Sequence, residues 1–421
     1  MTEATTACTQ PTVAIIGYGT AGVNALIGLR NAGFTGRVQV FSNIDTLPYS
    51  PILTSYYAGG EKTYEECFPW TAAELDDLHP EVVRATVTNL DVDARTVTTA
   101  EGAVYPYTKC VIATGARPMC YGFPADCGYS PLVLRTMADA QRMKDAFENP
   151  ACKNVLVSGA SMVALKSLEA ALNCGKQVTL VGMNPHVLDF NALPETAERF
   201  EAGLRAKGVT LKLGCTIKTV EVVEAPEGRL KVGFADGSTG YFDEISVSHG
   251  MRCNLDFVPE GALELDRALV VDDFMRTSNP HVYAAGDVAQ ALELVSGNKR
   301  IVGIWKTAAV QGYCAGTAIA AELAGAQPSP AAAYEGAIPT NTIAVNGTLF
   351  ISAGTMDVTE NRTVDVRETD DMTVVYVFET AADGTRRLAG FNLTCDTDEE
   401  GSVAYDTGAM LTMRIESAFA R

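Results

Sequence analysis

The strongest constraint on this chain is one turn written twice. Val13-Ala-Ile-Ile-Gly17-Tyr-Gly19-Thr-Ala-Gly22 is an apolar run, a G-x-G-x-x-G turn and the opening of a helical stretch. Val155-Leu-Val-Ser-Gly159-Ala-Ser161-Met-Val-Ala164 has the same setting but keeps only the first glycine. In such a turn the first glycine makes the tight bend and the second lets a pyrophosphate approach the backbone. The third lets helix and strand pack closely, with the phosphates at the helix N-terminus. The spacing implies one dinucleotide-binding fold near the N-terminus and a second, altered one in mid-chain. A glycine-rich turn without a ligand is the alternative.

At 421 residues the chain is long for one core, so two or three domains are expected. Residues 12 to 41 read strand–turn–helix–strand, and 154 to 182 repeat that reading. Thr86 to Tyr107 alternates like short antiparallel strands, and Lys109 to Ala113 runs as a buried strand into Thr114-Gly115. Residues 119 to 129, rich in Cys, Gly and Pro, read as a domain crossover. Leu211 to Gly240 predicts another meander, Asp243 to Ser248 a strand, and Thr307 to Ala324 a helix. After a linker at Ala326 to Pro330, alternating strands lead to a final amphipathic helix.

The formal net charge of −19, from 51 acidic and 32 basic residues, repels polyphosphate and argues against nucleic-acid binding. The apolar runs are too short for a membrane span. Met1 to Pro11 lacks a basic leader region, so a cytoplasmic protein is expected. The eleven cysteines form no disulfide framework and read as free thiols. Cys120 and Cys127, a C-x6-C pair, lack the spacing and the nearby His of a metal site. His79, His186, His249 and His281 fall in no catalytic pattern.

Two further segments, Ala113-Thr-Gly-Ala-Arg117-Pro and Val282-Tyr-Ala-Ala-Gly-Asp287, complete a pattern in chain order. On these motifs the chain resembles the pyridine nucleotide-disulfide oxidoreductase superfamily of FAD enzymes. It is similar to the branch of ferredoxin and rubredoxin reductases, NADH oxidases and coenzyme A disulfide reductases. The resemblance implies an α/β protein with two Rossmann-like three-layer nucleotide-binding lobes and a C-terminal α+β interface domain. It places a discontinuous FAD-binding domain at 1–119 and 251–325, an NAD(P)-binding-like domain at 120–250, and an interface or dimerisation domain at 326–421. Candidate FAD residues are Gly17, Gly19, Thr20, Ala21, Gly22, Ser42, Pro51, Thr114, Gly115, Arg117, Gly286, Asp287, Trp305 and Ala308. Asp287 is read as a ribityl ligand between a strand and a helix, with a plain helix cap as the alternative. Trp305, in a W-x-x-A-x-x-Q-G segment, is either a flavin neighbour or a core residue at a helix start. Gly159, Ser161 and Met162 are the candidate NAD(P)H contacts.

Departures from the family pattern carry as much information. Ser161 replaces the middle glycine of the second turn, so its Cβ stands where a pyrophosphate approaches. Ser42 and Gly182 occupy the positions of the ribose-reading acids. Lys166 stands where a Glu near the nicotinamide is common, and Ser55 where a lysine sits by the flavin. The loop Tyr49-Ser-Pro-Ile52-Leu has Ile52 at the redox-cysteine position, and an aliphatic chain forms no mixed disulfide.

The expectation is an FAD-dependent oxidoreductase passing electrons between NAD(P)H and a protein or small-molecule acceptor, without an active-site disulfide. A flavoprotein subunit of a larger redox complex with a degenerate NAD(P)H site is the alternative. A flavin-dependent small-molecule reductase or oxidase, and a flavin-dependent interaction protein, also stay open. An electron-transfer protein is the expected partner, and the C-terminal domain is a candidate homodimer contact.

Overall fold

The computed structural model describes residues 10–396 and 401–420. The N-terminal segment read above as leaderless lies, up to residue 9, outside the described residues. The chain divides into two compact units. The first is Met1–Ser50, Phe68–Arg117 and Arg252–Ala337; the second is Pro51–Cys67, Pro118–Met251 and Ile338–Arg421.

The first unit is built on a five-stranded parallel sheet. Its order is Val282–Ala284, Lys109–Ile112, Thr12–Ile16, Arg37–Ser42, Glu81–Arg84. The strand Thr12–Ile16 is buried at every position, as its uninterrupted apolar run requires of a central parallel strand. From it the chain goes out through the helix Thr20–Asn31 to Arg37–Ser42 on one side. It returns later as Lys109–Ile112 on the other. The strand order therefore reverses beside Thr12–Ile16, which opens a crevice at the strands' C-terminal ends. A three-stranded antiparallel meander, Val87–Asp91, Thr96–Thr99 and Val104–Pro106, matches the alternation read from sequence.

The helix Trp305–Leu323 starts two residues before the expected Thr307 and packs on Thr20–Asn31 through glycines. An added Cβ at Gly312 would lie 2.2 Å from the Ala21 carbonyl oxygen, at Gly316 2.1 Å from that of Ala25, and at Gly28 2.4 Å from that of Tyr313. These glycines are unfavourable for helix formation but let two backbones touch. At the far end of the sheet, Lys109 and Arg276 both pair with Glu322 of the long helix, and Lys109 donates to the Pro280 carbonyl at 2.8 Å.

The second unit repeats the plan. Its parallel sheet runs Thr210–Leu213, Gln177–Gly182, Asn154–Ser158, Glu244–Val247, again with the first strand in sequence flanked on both sides. The meander Ile217–Val222, Leu230–Phe234 and Thr239–Phe242 covers a core on which Cys120, Phe123, Cys127 and Tyr129 pack. The same unit holds a five-stranded antiparallel sheet from residues 340–396. On one face, Asn392 accepts from Leu193 N–H and donates to the Asn191 carbonyl, both at 2.7 Å, which binds the helix Pro194–Ala206 to the sheet. The C-terminal helix Gly401–Phe419 lies on the other face, with Gly408 against Ile351. Asn392 pairs with Ser352, so it and Ile351 point to opposite sides of the sheet.

Gly316→Ala discriminates between propensity and packing. On propensity alone it would stabilise by about 1 kcal/mol. The backbone contact makes it destabilising instead, by about 1–3 kcal/mol. Chemical denaturation read by circular dichroism should show the loss.

Candidate functional site

The first cradle is set by backbone crowding. Gly17 has φ +106°, and its N–H donates to the Phe41 carbonyl at 2.8 Å. A Cβ there would lie 2.3 Å from the Ala113 carbonyl oxygen, on the strand returning to the other side. A Cβ at Gly22 would lie 2.1 Å from the Gly17 oxygen. Both are glycine because the fold leaves no room. Gly19 differs. It is the N-cap of Thr20–Asn31, with φ −88° and ψ −167°, and nothing lies within 4 Å of its Cβ position. Its carbonyl accepts from Val23 N–H at 2.9 Å, but the helix has no side-chain cap and no acid in its first turn. The amides of Thr20, Ala21 and Gly22 form an uncapped helix N-terminus beside open space, and that arrangement fits a pyrophosphate.

Two distant segments close around this cradle. Gly286, at φ +80°, donates its N–H to Gln311 Oε1 at 2.8 Å. A Cβ there would lie 3.2 Å from Ala21 Cβ and 3.5 Å from Ala308 Cβ. Gly286, Ala21 and Ala308 therefore meet at one point. Asp287 needs a correction. It lies in a turn between the strands Val282–Ala284 and Ala289–Leu292, with Ala289 N–H bonded to the Gly286 carbonyl at 2.9 Å. It precedes no helix and caps none. The N-terminal turns of two helices lie beside it, Thr20–Asn31 through Ala21 and Trp305–Leu323 through Ala308, and neither directly follows the Gly286–Asp287 turn in the chain.

The remaining candidates are held as follows. Thr114 Oγ1 donates to the Asn254 carbonyl at 2.7 Å, and Asn254 Nδ2 returns a bond to the Thr114 carbonyl at 2.9 Å. The Gly115 carbonyl accepts from Asn254 N–H at 2.9 Å. Arg117 donates to Asn254 Oδ1 at 3.0 Å and pairs with Asp256 at 2.7 Å. Asn254 thus clasps the segment where the chain leaves the first unit to the segment where it returns. No local signal marks it, since its partners are 137 and 140 residues away. Ser42 Oγ accepts from Ile44 N–H at 3.2 Å, so this hydroxyl is engaged by its own loop. Pro51 belongs to the second unit. Trp305 stacks on Trp70, the chain's other tryptophan, with centroids 6.1 Å apart, and its buried Nε1–H has no partner among the described residues.

The second cradle has the same backbone and different side chains. Gly159 has φ +120°, its N–H donates to the Val181 carbonyl at 2.9 Å, and a Cβ there would lie 2.4 Å from the Ser248 carbonyl oxygen. Ser248 holds the topological place that Ala113 holds in the first unit. Ser161 is the N-cap of Met162–Asn173, with φ −78° and ψ 171°, close to Gly19. Its Oγ accepts from Ala164 N–H at 3.4 Å and lies 3.0 Å from Ser248 Oγ. Met162, half-buried, is the first residue of that helix. The hydroxyl pair stands where the first cradle is open.

Beside it, Ser158 Oγ lies 2.8 Å from His249 Nε2, and His249 Nδ1 lies 2.6 Å from the Tyr121 carbonyl. A carbonyl only accepts, so Nδ1 carries the proton and Nε2 accepts from Ser158. Burial lowers the His249 pKa, against the opposing pull of that carbonyl, which keeps the ring neutral at pH 7. Lys166 pairs with Glu169, and its Nζ lies 3.9 Å from the Tyr56 ring centroid. Burial raises the Glu169 carboxyl above its ordinary range, and Lys166 pulls it back.

A family model described as pyridine nucleotide-disulphide oxidoreductase matches residues 11–312. The chain is 31% identical over 296 residues to a rubredoxin-NAD(+) reductase of Pseudomonas putida, covering 68% of this chain and 74% of that one. It is 29% identical over 375 residues to the epsilon subunit of an NADH-dependent phenylglyoxylate dehydrogenase of Aromatoleum evansii, covering 88% and 85%. In fold it resembles the covalent putidaredoxin reductase–putidaredoxin complex, with TM-score 0.80, 21% identity, and 96% of this chain and 93% of that one covered.

The open space at Gly19 yields a test. Gly19→Val is expected to lose bound FAD, read as the visible absorbance of the purified protein, and to melt at the temperature of the flavin-free wild-type chain. Gly17→Ala should lose FAD and also melt below the flavin-free wild type, since its Cβ collides with backbone.

Proposed function

Because the chain belongs to the pyridine nucleotide-disulphide oxidoreductase family, we propose that it is an electron carrier delivering electrons to a small redox protein without an active-site disulfide. It is an FAD-dependent oxidoreductase, and the first unit's cradle is the seat of its flavin. The single observation behind that placement is the uncapped N-terminus of Thr20–Asn31 beside the empty Gly19 position.

The amides of Thr20, Ala21 and Gly22 hold the pyrophosphate, and Gly286 keeps the wall behind it free of side chains. Asp287 takes the ribityl hydroxyls, and Ser42 the adenosine ribose. Asn254, through Thr114, Gly115 and Arg117, positions the segment bordering the crevice. Trp305 contributes an aromatic face and an unsatisfied donor. Bound there, the flavin supplies two-electron acceptance and one-electron release; orientation and tuning belong to the protein. The FAD-binding domain follows the division 1–119 and 251–325, with 120–250 as the nicotinamide-binding-like domain and 326–421 as the interface domain. The cell compartment is the cytoplasm.

The reductant enters at the second cradle. Its backbone supports a dinucleotide, and relatives named for NAD(+) or NADH support that reading. The Ser161–Ser248 pair must open before a pyrophosphate reaches the amides of Met162 and Val163. Breaking such a bond and crowding the approach costs about 1–3 kcal/mol, roughly tenfold to a hundredfold in affinity. That hydroxyl pair favours a second reading, in which the chain is a subunit of a larger redox complex and a partner supplies the electrons. The name of the Aromatoleum relative points the same way.

Anaerobic titration of the flavin-loaded protein with NADH, then NADPH, separates the two. Bleaching of the visible band within seconds supports direct reduction. No bleaching by either overturns the nicotinamide reading and favours the subunit. Ser161→Gly is expected to lower the NADH concentration for half-reduction by about tenfold or more. Ser248→Ala should move it in the same direction by less, because the Ser161 Cβ remains.

A further inference from the structure

We infer that His249 couples the binding of a dinucleotide at the second cradle to the uptake of a proton, so that this site tightens as the pH falls. The inference rests on the nicotinamide reading of that cradle and names a regulation of the same site. The two units support their turns differently. In the first, Ile16 precedes Gly17, is 2% exposed, and accepts the Ala113 N–H at 2.8 Å through its carbonyl. In the second, Ser158 precedes Gly159, and its carbonyl accepts the Ser248 N–H at 2.8 Å. The backbone is the same, but an aliphatic side chain has become a hydroxyl, 3% exposed. A buried hydroxyl is costly without a partner. The partner here is His249, which follows Ser248 as Thr114 follows Ala113. Folding does not call for this pair, since Ile16 supports the same turn without one. Two side-chain bridges therefore bracket Gly159. One runs from Ser158 to His249, the other from Ser161 to Ser248.

Two things hold the half-buried ring neutral when no anion is bound. One is burial; the other is the positive pole of the helix Met162–Asn173, whose cap Ser161 reaches the residue next to His249. The neighbouring elements bring no free charge to offset them. That helix has no acid in its first turn, and its Lys166 pairs with Glu169. On the segment supplying the Tyr121 carbonyl, burial pushes the Cys120 thiol up and the Tyr121 side chain stands exposed. The loop after Gln177–Gly182 is tied to the turn by Leu188 N–H, which donates to the Ala160 carbonyl at 2.8 Å. On that loop His186 lies 3.1 Å from Glu201, and Asp189 accepts from Asn184. A pyrophosphate at the Met162 and Val163 amides brings two negative charges to this turn, and opposite charge favours the protonated ring. On protonation Nε2 changes from acceptor to donor, and the Ser158 hydroxyl can accept. The bond is kept with its direction reversed, so the ring gains charge without leaving its place. The unbound ring titrates below the ordinary imidazole value and the bound ring above the unbound one. Affinity is therefore greatest below the unbound value. It falls as the pH rises through the interval between the two and is level above the bound value.

Calorimetric titration of the flavin-loaded chain with NAD+, between about pH 5.5 and about pH 8.5, tests this. The dissociation constant is expected to be about tenfold lower at the acid end. Titrations at about pH 6.5 in two buffers of different ionisation enthalpy should show net proton uptake. His249→Gln keeps an acceptor for Ser158 and should abolish both the uptake and the pH dependence. His186→Gln should leave both in place. Carbon-13 histidine NMR reads the ring directly. The resonance missing from His249→Gln, and displaced in Ser158→Ala, should titrate at higher pH with NAD+ than without it. Uptake and NMR titration are read on the wild type, so they stand even where His249→Gln fails to fold. Binding without proton uptake overturns the coupling alone. So does a pH dependence that survives His249→Gln or vanishes with His186→Gln. No binding at any pH, in the wild type or in Ser161→Gly, overturns the nicotinamide reading and the coupling with it.

Discussion

The first unit depends on one backbone contact. At Gly17 the turn leaving the central strand passes so close to the Ala113 carbonyl that no side chain fits. That approach aims the helix Thr20–Asn31 across the crevice and brings the second return strand beside the turn. Gly22, Gly286, Gly312 and Gly316 extend the same constraint outward, each removing a Cβ where two segments touch. The helix N-terminus is thereby held against rigid backbone rather than mobile side chains. A binding site for a charged cofactor gains from this, because its donors are already in place before the ligand arrives.

The second unit keeps that architecture and changes its chemistry. Gly159 repeats the turn with the same hydrogen bond to the neighbouring strand and the same crowding against the returning one. Serine at the N-cap costs the helix nothing, since it is a favoured cap residue. Any cost would fall on a dinucleotide binding there, which would meet a hydroxyl that lies 3.0 Å from Ser248 Oγ and accepts from Ala164 N–H. The backbone of the cradle is retained, and the difference between the two units lies in the side chains at the turn. Nearby, Ser158 and His249 are tied together with the ring's outer nitrogen anchored to a carbonyl, so the cluster is rigid and uncharged.

Much of this was legible in the residues. The two strand–turn–helix–strand units, the first meander and the terminal helix lie where periodicity and glycine spacing put them, because each is a local pattern; the second meander begins only at Ile217, since Leu211–Leu213, read as part of it, is the parallel sheet's edge strand. The roles of Gly17 and Gly22 followed from spacing alone. The local setting of Asp287 was misread: a strand followed by Gly-Asp suggested a helix start, but the chain turns into another strand, and the helices beside this turn begin elsewhere, at Thr20 and at Trp305. Asn254, Ser248 and His249 were invisible as site residues. Each gains meaning from a partner dozens of residues away, and no window along the chain contains both.

What the sequence determined by itself is the plan: a parallel fold with a phosphate-ready turn, a second with its middle glycine lost, and a sheet-and-helix region after them. Those features are local, and a short window of residues encodes them by period, by missing Cβ atoms and by helix caps. Only the tertiary structure decided which helix ends meet at the Gly286–Asp287 turn, that Ser161 has Ser248 as its partner, and which face of the last helix is left uncovered. These depend on where strands far apart in the chain come to lie side by side, and that follows from burying the whole sheet rather than from any one segment's preference.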